Sequence, residues 1–289
     1  MLKLIMMIFK SSKNFSYIEK TVELITQSHK PLSLDELAFK LALDRESLNN
    51  LYMTWGNVCP IEFMDSLGVE YSKNKLYEKE SLKFQEKVKP SSKSIKNARK
   101  ISFHTISQED YERQKSDFEI FYGFHETIFG ECLLAVTKNK ICHLSFINYS
   151  SRELVLNILK SDWLSSHIRE DSHLTKKFID SCFLKENLTS SRKEIPILLK
   201  GTLFQLKVWR TLLSVTFSEL CSYSHIASIM NKATAVRAVA TAVARNKIAY
   251  FIPCHRIISK SGDFGNYRWG RNLKKILLAF EASYKKDLL

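Results

Sequence analysis

The chain has 289 residues, 45% of them hydrophobic, which is enough for two or three packed units and too apolar for a disordered chain. Six cysteines scattered without CxxC spacing exclude a disulfide framework and a zinc-finger-type site, and fit a reducing, cytoplasmic protein. Forty-four Lys and Arg against thirty Asp and Glu give a net charge of +14, which points to a polyanionic partner, most simply DNA.

The N-terminal MLKLIMMIF is apolar but short and is followed by no small-residue cleavage site, so neither a signal peptide nor an anchor is expected. Nothing else approaches the ~20 apolar residues of a membrane span, and no membrane partner is expected. Residues 15–67 read as helices. SYIEKTVELI leads to Pro31, and SLDELAFKLAL then opens with Ser33 as N-cap and Glu36 three residues later. Asp44 caps RESLNNLYMTWG, which ends at Gly56, and CPIEFMDSL opens another helix with Pro60 in its first turn. The two short helices, apolar at Leu34, Leu37, Ala38 and Leu41 and then at Leu48, Leu51 and Tyr52, have helix-turn-helix proportions, although a generic helical bundle fits the same pattern. From Lys87 to Lys100 there are six basic residues and no acid.

From Asp117 the period changes. FEIFYGF, ECLLAVTK and ICHLSFI are strand-like, with Gly130 and the polar TKNK as turns. Residues 151–164 and 172–183 read as helices and EIPILLK as a further strand, a small α+β layer without a catalytic cluster. From Gly201 the chain is helical again. TLFQLKVWRTLLS precedes SYSHIASIM and TAVRAVATAVARN, a second helix-turn-helix pattern whose last helix is apolar at Val236, Val239 and Val243. Lys200–Leu289 carries fifteen basic and four acidic residues.

The chemistry gathers at Ile252–Ile258, IPCHRII, in a run that otherwise reads as a buried strand from Ile248 to Ile258. Pro253 removes a ladder hydrogen bond, so the strand must end or turn at the thiol of Cys254. His255 offers a base, and Glu281, at the edge of the apolar stripe of helix Arg271–Tyr284, offers a carboxylate to orient it. Adjacent extended residues point to opposite faces, so Cys254 and His255 need a turn or a bridging water to communicate. On these residues alone the reading is a Cys-His-Glu relay, and a cysteine hydrolase fits it.

Two resemblances extend this reading. PLSLDELAFKLALDRESLNNLYMTWGNVCPIEFM resembles the first helix-turn-helix of AraC-type regulators, which implies a second one near residues 80–112. There Pro90 and few apolar residues at helical spacing suggest an eroded frame or a basic linker. AVRAVATAVARNKIAYFIPCHRII and GNYRWGRNLKKILLAFE, with GTLFQLKVWRTLL and SYSHIA, resemble the O6-alkylguanine-DNA alkyltransferases. RAVATA and YRWG resemble the Ada-type branch in particular, and YGFHETIFGECLLAVTKNKICHLSF is similar to that branch's scaffold domain. Only Cys59 precedes Cys132, so the four-cysteine zinc module of fuller relatives is not expected, and neither a metal nor a cofactor is.

The resemblance implies an α+β fold in three parts. These are an AraC-like helical region over 10–115, a ribonuclease-H-like scaffold over 117–199, and a helical alkyltransferase domain over 200–286 with a winged helix-turn-helix-like motif. It implies irreversible transfer of an alkyl group from O6-methylguanine, with O4-methylthymine as a further substrate to consider, in double-stranded DNA to Cys254 of a monomer. His255 is then the water-mediated base, Glu281 its orienter, and Asn246 the residue that shapes the turn. Tyr223 crowds a phosphate and passes a proton toward the leaving guanine. Arg237 fills the gap left by the flipped nucleotide, and Ala238, Ala240 and Thr241 allow close approach to the minor groove. Tyr267, Arg268, Trp269 and Ile257 line the pocket. The alternative is an AraC-type transcription regulator whose alkyltransferase domain senses damage or is vestigial.

Overall fold

The computed structural model describes residues 2–28, 30–68, 100–114, 117–148, 150–183 and 194–284, with side chains from residue 14 onward. Helix α1 (Leu2–Gln27) is followed by α2 (Leu34–Lys40), α3 (Arg45–Gly56) and α4 (Pro60–Asp65). The expected caps form: Ser33 and Glu36 make a reciprocal capping box, and Asp44 accepts from the Ser47 amide at 2.6 Å. Helix α3 stops where Asn57 turns left-handed, and Pro60 opens α4. No helix among the described residues is long and apolar enough to cross a membrane.

Strand β1 (Ile101–Ser107) and helix α5 (Gln108–Gln114) come next, then β2 (Glu119–Thr127), β3 (Gly130–Thr137), β4 (Lys140–Phe146), α6 (Arg152–Asp162), β5 (His167–Glu170), α7 (Ser172–Phe183) and β6 (Ile195–Gly201). The six strands form one mixed sheet in the order β1-β6-β4-β3-β2-β5. This corrects the expectation of a helical region over 10–115, because Ile101–Ser107 runs parallel to β6, pairing Ile101 with Ile195 through Ser107 with Gly201. The second helix-turn-helix expected near 80–112 falls partly on residues 80–99, outside the described residues. Its remainder is a strand followed by one short helix. Alternating Ile101, Phe103 and Thr105 suits a pleated surface better than a helix.

Both faces of the sheet are covered, which is why β3 and β4 are buried almost without interruption, the polar His143 and Ser145 included. Leu133, Ala135 and Cys142 face Val155, Leu159 and Trp163 of the α6 side. Leu134, Val136, Leu144 and Phe146 face a larger core shared with α1, α3, α7 and the C-terminal helices. The β3–β4 turn is made by Lys138 and Asn139, both left-handed (φ 47° and 58°), the geometry a two-residue hairpin requires. At the other end of β3, Gly130 has φ +94° and a Cβ there would lie 2.4 Å from Asn148 Oδ1. Gly130→Ala should therefore lower stability by about 2 kcal/mol, seen as a drop in Tm.

The remainder comprises α8 (Leu203–Leu212), β7 (Cys221–Ser222), α9 (Tyr223–Ile229), α10 (Val236–Ala244), β8 (Ile257–Ile258) and α11 (Arg271–Tyr284). Helices α9 and α10 pack through Ile226, Ala227, Val239 and Val243, and Trp209 of α8 pins α10 by donating to the Ala242 carbonyl at 2.8 Å. The edge of β4 receives the following loop: Leu144 N–H donates to Lys247 O, and Ala249 N–H donates to Leu144 O.

Candidate active site

The run from Ile248 to Ile258 is not one buried strand. Ile248 makes a single parallel bridge to Leu144, Tyr250 turns left-handed (φ 65°), and Cys254–Arg256 form one turn of 3-10 helix before β8 pairs with β7. Pro253 supplies the break, since it cannot donate to a ladder. The turn removes the opposite-face problem of an extended Cys254-His255 pair, and both side chains are buried.

Asn246 closes this loop from inside. Its Oδ1 accepts from Ile248 N–H at 3.0 Å, and its Nδ2 donates to Ile248 O at 2.9 Å, Ile252 O at 3.4 Å and Cys254 Sγ at 3.1 Å. Burial pushes the Cys254 thiol up, while the Asn246 bond and the charge of Lys274 pull it back. Lys274 is itself held at about 8 by burial, with Cys254 opposing that shift. Its ammonium donates to the carbonyls of Ile257, at 2.6 Å, and of Phe264.

Behind the thiol, Glu281 lies at the centre of a charged knot with no solvent exposure. Its carboxylate accepts from His255 Nε2 at 2.9 Å, from Arg256 through Nε and a terminal nitrogen, both at 2.9 Å, and from the Ser218 amide at 3.0 Å. Burial alone would raise this carboxyl, but Arg256 and then His255 more than reverse it and hold it at about 2. Burial lowers His255 against the pull of Glu281, so the imidazole tends to be neutral. With Nε2–H given to Glu281, His255 Nδ1 is left as an acceptor, and it has no hydrogen-bond partner among the described residues. Tyr250 stacks on the imidazole at 6.0 Å and 19°.

In front of the thiol is an open cavity of about 260 Å³ lined by Tyr223, Val243, Ala244, Cys254, Asn266, Tyr267, Arg268, Trp269 and Lys274. That size suits one planar ring system. The Tyr267 and Trp269 rings meet edge-on at 5.1 Å. The Tyr267 hydroxyl is buried and close enough to the thiol to feel its charge, but it makes no hydrogen bond of full geometry. Burial, and then Cys254, raise the Tyr223 phenol. Among the described residues no three His, Cys, Asp or Glu side chains are grouped to hold a metal ion.

The structure thus brings Cys254, Asn246, His255 and Glu281 together, and sets Tyr223, Tyr267, Arg268 and Trp269 around the cavity. Ile257 does not join them: it is fully buried in β8 and contributes its carbonyl to Lys274. On α10, Arg237, Ala238 and Thr241 are exposed and Ala240 half-buried, outside the cavity lining. Three participants were missed. Arg256 was visible beside the thiol, but its bidentate grip on Glu281 depends on the turn. Lys274 looked like one more basic residue on a helix. Ser218 contributes a backbone amide, which no side-chain pattern reveals.

The family model described as 6-O-methylguanine DNA methyltransferase, DNA binding domain, matches residues 203–283. The regulatory protein ada of Salmonella typhimurium is 29% identical over 177 residues, 61% of this chain and 50% of that protein. The bifunctional transcriptional activator/DNA repair enzyme Ada of Escherichia coli is 25% identical, over 89% of this chain and 73% of that protein. The constitutive methylated-DNA–protein-cysteine methyltransferase of Bacillus subtilis is 33% identical over 57% of this chain and 98% of that enzyme. The chain spans half the length of its Salmonella relative.

Proposed function

The chain belongs to the methylated-DNA–protein-cysteine methyltransferases, and from that premise we propose that it repairs DNA by moving the alkyl group of O6-methylguanine onto Cys254. The observation that carries this reading is one buried thiol at the wall of an open, ring-sized cavity, with a fixed donor at its sulfur and a buried carboxylate–imidazole pair behind it. In the transfer, the Cys254 sulfur attacks the methyl carbon, the carbon–O6 bond breaks, and its electron pair stays on the guanine. The thiol proton goes through a water toward His255 Nδ1, and the guanine regains a proton at its ring from Tyr223 at the cavity mouth. Exchange with solvent returns a proton to Tyr223 and removes the one on His255. The thioether has no leaving group at neutral pH, so each chain acts once.

A base inside a duplex cannot reach a buried thiol and must leave the stack. The small-residue face of α10, exposed at Ala238 and Thr241 and half-buried at Ala240, suits close approach to a minor groove, and the exposed Arg237 beside it suits the vacated space. The basic C-terminal part supplies phosphate affinity without sequence preference. Arg237→Ala should slow transfer from duplex DNA about tenfold or more and leave reaction with free O6-methylguanine base unchanged, as single-turnover assays on both substrates would show. In this reading α2 and α3 form an AraC-like helix-turn-helix, supported by the resemblance of residues 31–64 and by the two short helices that lie there.

The direct test is peptide mass spectrometry after incubation with a duplex containing one O6-methylguanine. One methyl should appear on the peptide holding Cys254 and none in a Cys254→Ala control. Folded protein that leaves the lesion intact would reject the proposal.

A further inference from the structure

The N-terminal helices do not build a core of their own; they complete the one that holds the Glu281 helix. Trp55 of α3 is fully buried, and its ring meets Phe280 edge-on at 5.6 Å and 72°. Its indole N–H donates to the Ile128 carbonyl in the β2–β3 turn at 2.5 Å, which holds the ring against the sheet. Gly56, next in sequence, lies so close to α11 that a Cβ there would stand 2.8 Å from the Phe280 ring. That ring has little room to yield, being packed against Phe129 at 5.2 Å and Tyr284 at 5.4 Å as well. Two more ties reach the same helix: Lys275 donates to Thr26 Oγ1 of α1 at 2.8 Å, and α4 packs along α11.

Phe280 immediately precedes Glu281, whose carboxylate gathers His255, Arg256 and the Ser218 amide within 3.0 Å. A shift of α11 by a fraction of an ångström therefore reaches the imidazole behind the thiol. We infer that Trp55 and Gly56 are positioning residues for alkyl transfer: the N-terminal helical region sets α11, and through it Glu281 and His255. The second helix of the helix-turn-helix pair thus spends its apolar face on the catalytic core. This inference rests on the alkyl-transfer reading above.

Gly56→Ala in the full chain separates positioning from folding, because alanine is the better helix former and by itself favours α3. The single-turnover rate with a duplex carrying one O6-methylguanine should fall about tenfold or more at saturating DNA. Affinity for unmodified duplex should stay the same, and the rise of the rate with pH should move to higher pH as His255 loses its orientation. Adding Phe280→Leu, which vacates the space the new methyl needs, should restore both rate and profile. Should Gly56→Ala not fold, Trp55→Phe keeps an aromatic ring but gives up the bond to Ile128 and part of the Phe280 contact. It should show the same pH shift with a smaller loss of rate. Either variant, folded and transferring with the wild-type rate and pH profile, overturns the inference and leaves the transfer reading intact. A wild-type chain that never methylates Cys254 overturns both.

Discussion

Glu281→Gln should reduce the single-turnover transfer rate by about two orders of magnitude, the usual scale for losing assisted proton transfer. The carboxylate is the anion of a buried knot that contains Arg256 and His255. In a neutral amide one oxygen still accepts, but the other is replaced by an NH2 group that faces the Arg256 Nε–H and the Ser218 amide, and Arg256 is left as a buried charge without its counterion. Removing one partner of such a pair costs about 3–5 kcal/mol, so a drop in Tm should accompany the loss of rate. The pH dependence gives an independent signature. The folded carboxyl sits at about 2, below the ordinary value near 4.5, so its contribution is complete above about pH 4.5 and is lost as pH falls through 2. That contribution is about 3 kcal/mol. Urea unfolding across this window should show stability falling with pH in the wild type and a flatter dependence in Glu281→Gln. An unchanged slope would mean that Glu281 is not ionised in the folded chain.

Asn246→Ala should have the next largest effect, because one side chain serves four groups. The carbonyls of Ile248 and Ile252 lose a donor, the Ile248 amide loses its acceptor, and the thiol loses the donor at its sulfur. Each buried group left unsatisfied costs about 1–3 kcal/mol, and the costs do not simply add because the loop can relax. With the Asn246 bond gone, burial pushes the Cys254 thiol further up and the thiolate fraction at neutral pH falls. Transfer at pH 7 should slow by about tenfold to a hundredfold, with partial recovery at alkaline pH that a collapsed loop would not show. Asn246→Asp retains the acceptor for Ile248 but sets a negative charge beside the sulfur, so it should be slower still. A variant of either kind that reacts like the wild type would remove Asn246 from the mechanism.

Much of this architecture is legible in the chain because it is local. Ser33, Asp44 and Pro60 announce helix starts, Asn57 follows the end marked by Gly56, and Lys138-Asn139 turn a hairpin between two apolar runs. Local hydrogen bonds and φ preferences decide those features, and they survive in any context. The runs FEIFYGF, ECLLAVTK, ICHLSFI and EIPILLK similarly declare four strands to within a few residues of their ends, whereas β5, four residues long and mostly exposed, carries no such signal. Ile101–Ser107 is hidden for a related reason: it follows a basic run, and its partner lies almost a hundred residues away on β6. An isolated strand has no periodic signature that outweighs its surroundings.

The candidate site divides along the same line. Cys254 and His255 stand out because reactive groups interrupt an apolar run, and Glu281 because a carboxylate shares a buried helix. Their identities, like the caps and the apolar strands, are written in residue types and short spacings that act through local chemistry. Their arrangement is not. That Arg256 rather than His255 alone neutralises Glu281, that Ser218 adds an amide, that Ile257 turns away from the cavity and that Trp55 braces Phe280 all depend on segments far apart in sequence. Long-range packing selects among many compatible partners by shape and by the need to satisfy every buried charge, and no spacing along a single chain encodes that choice.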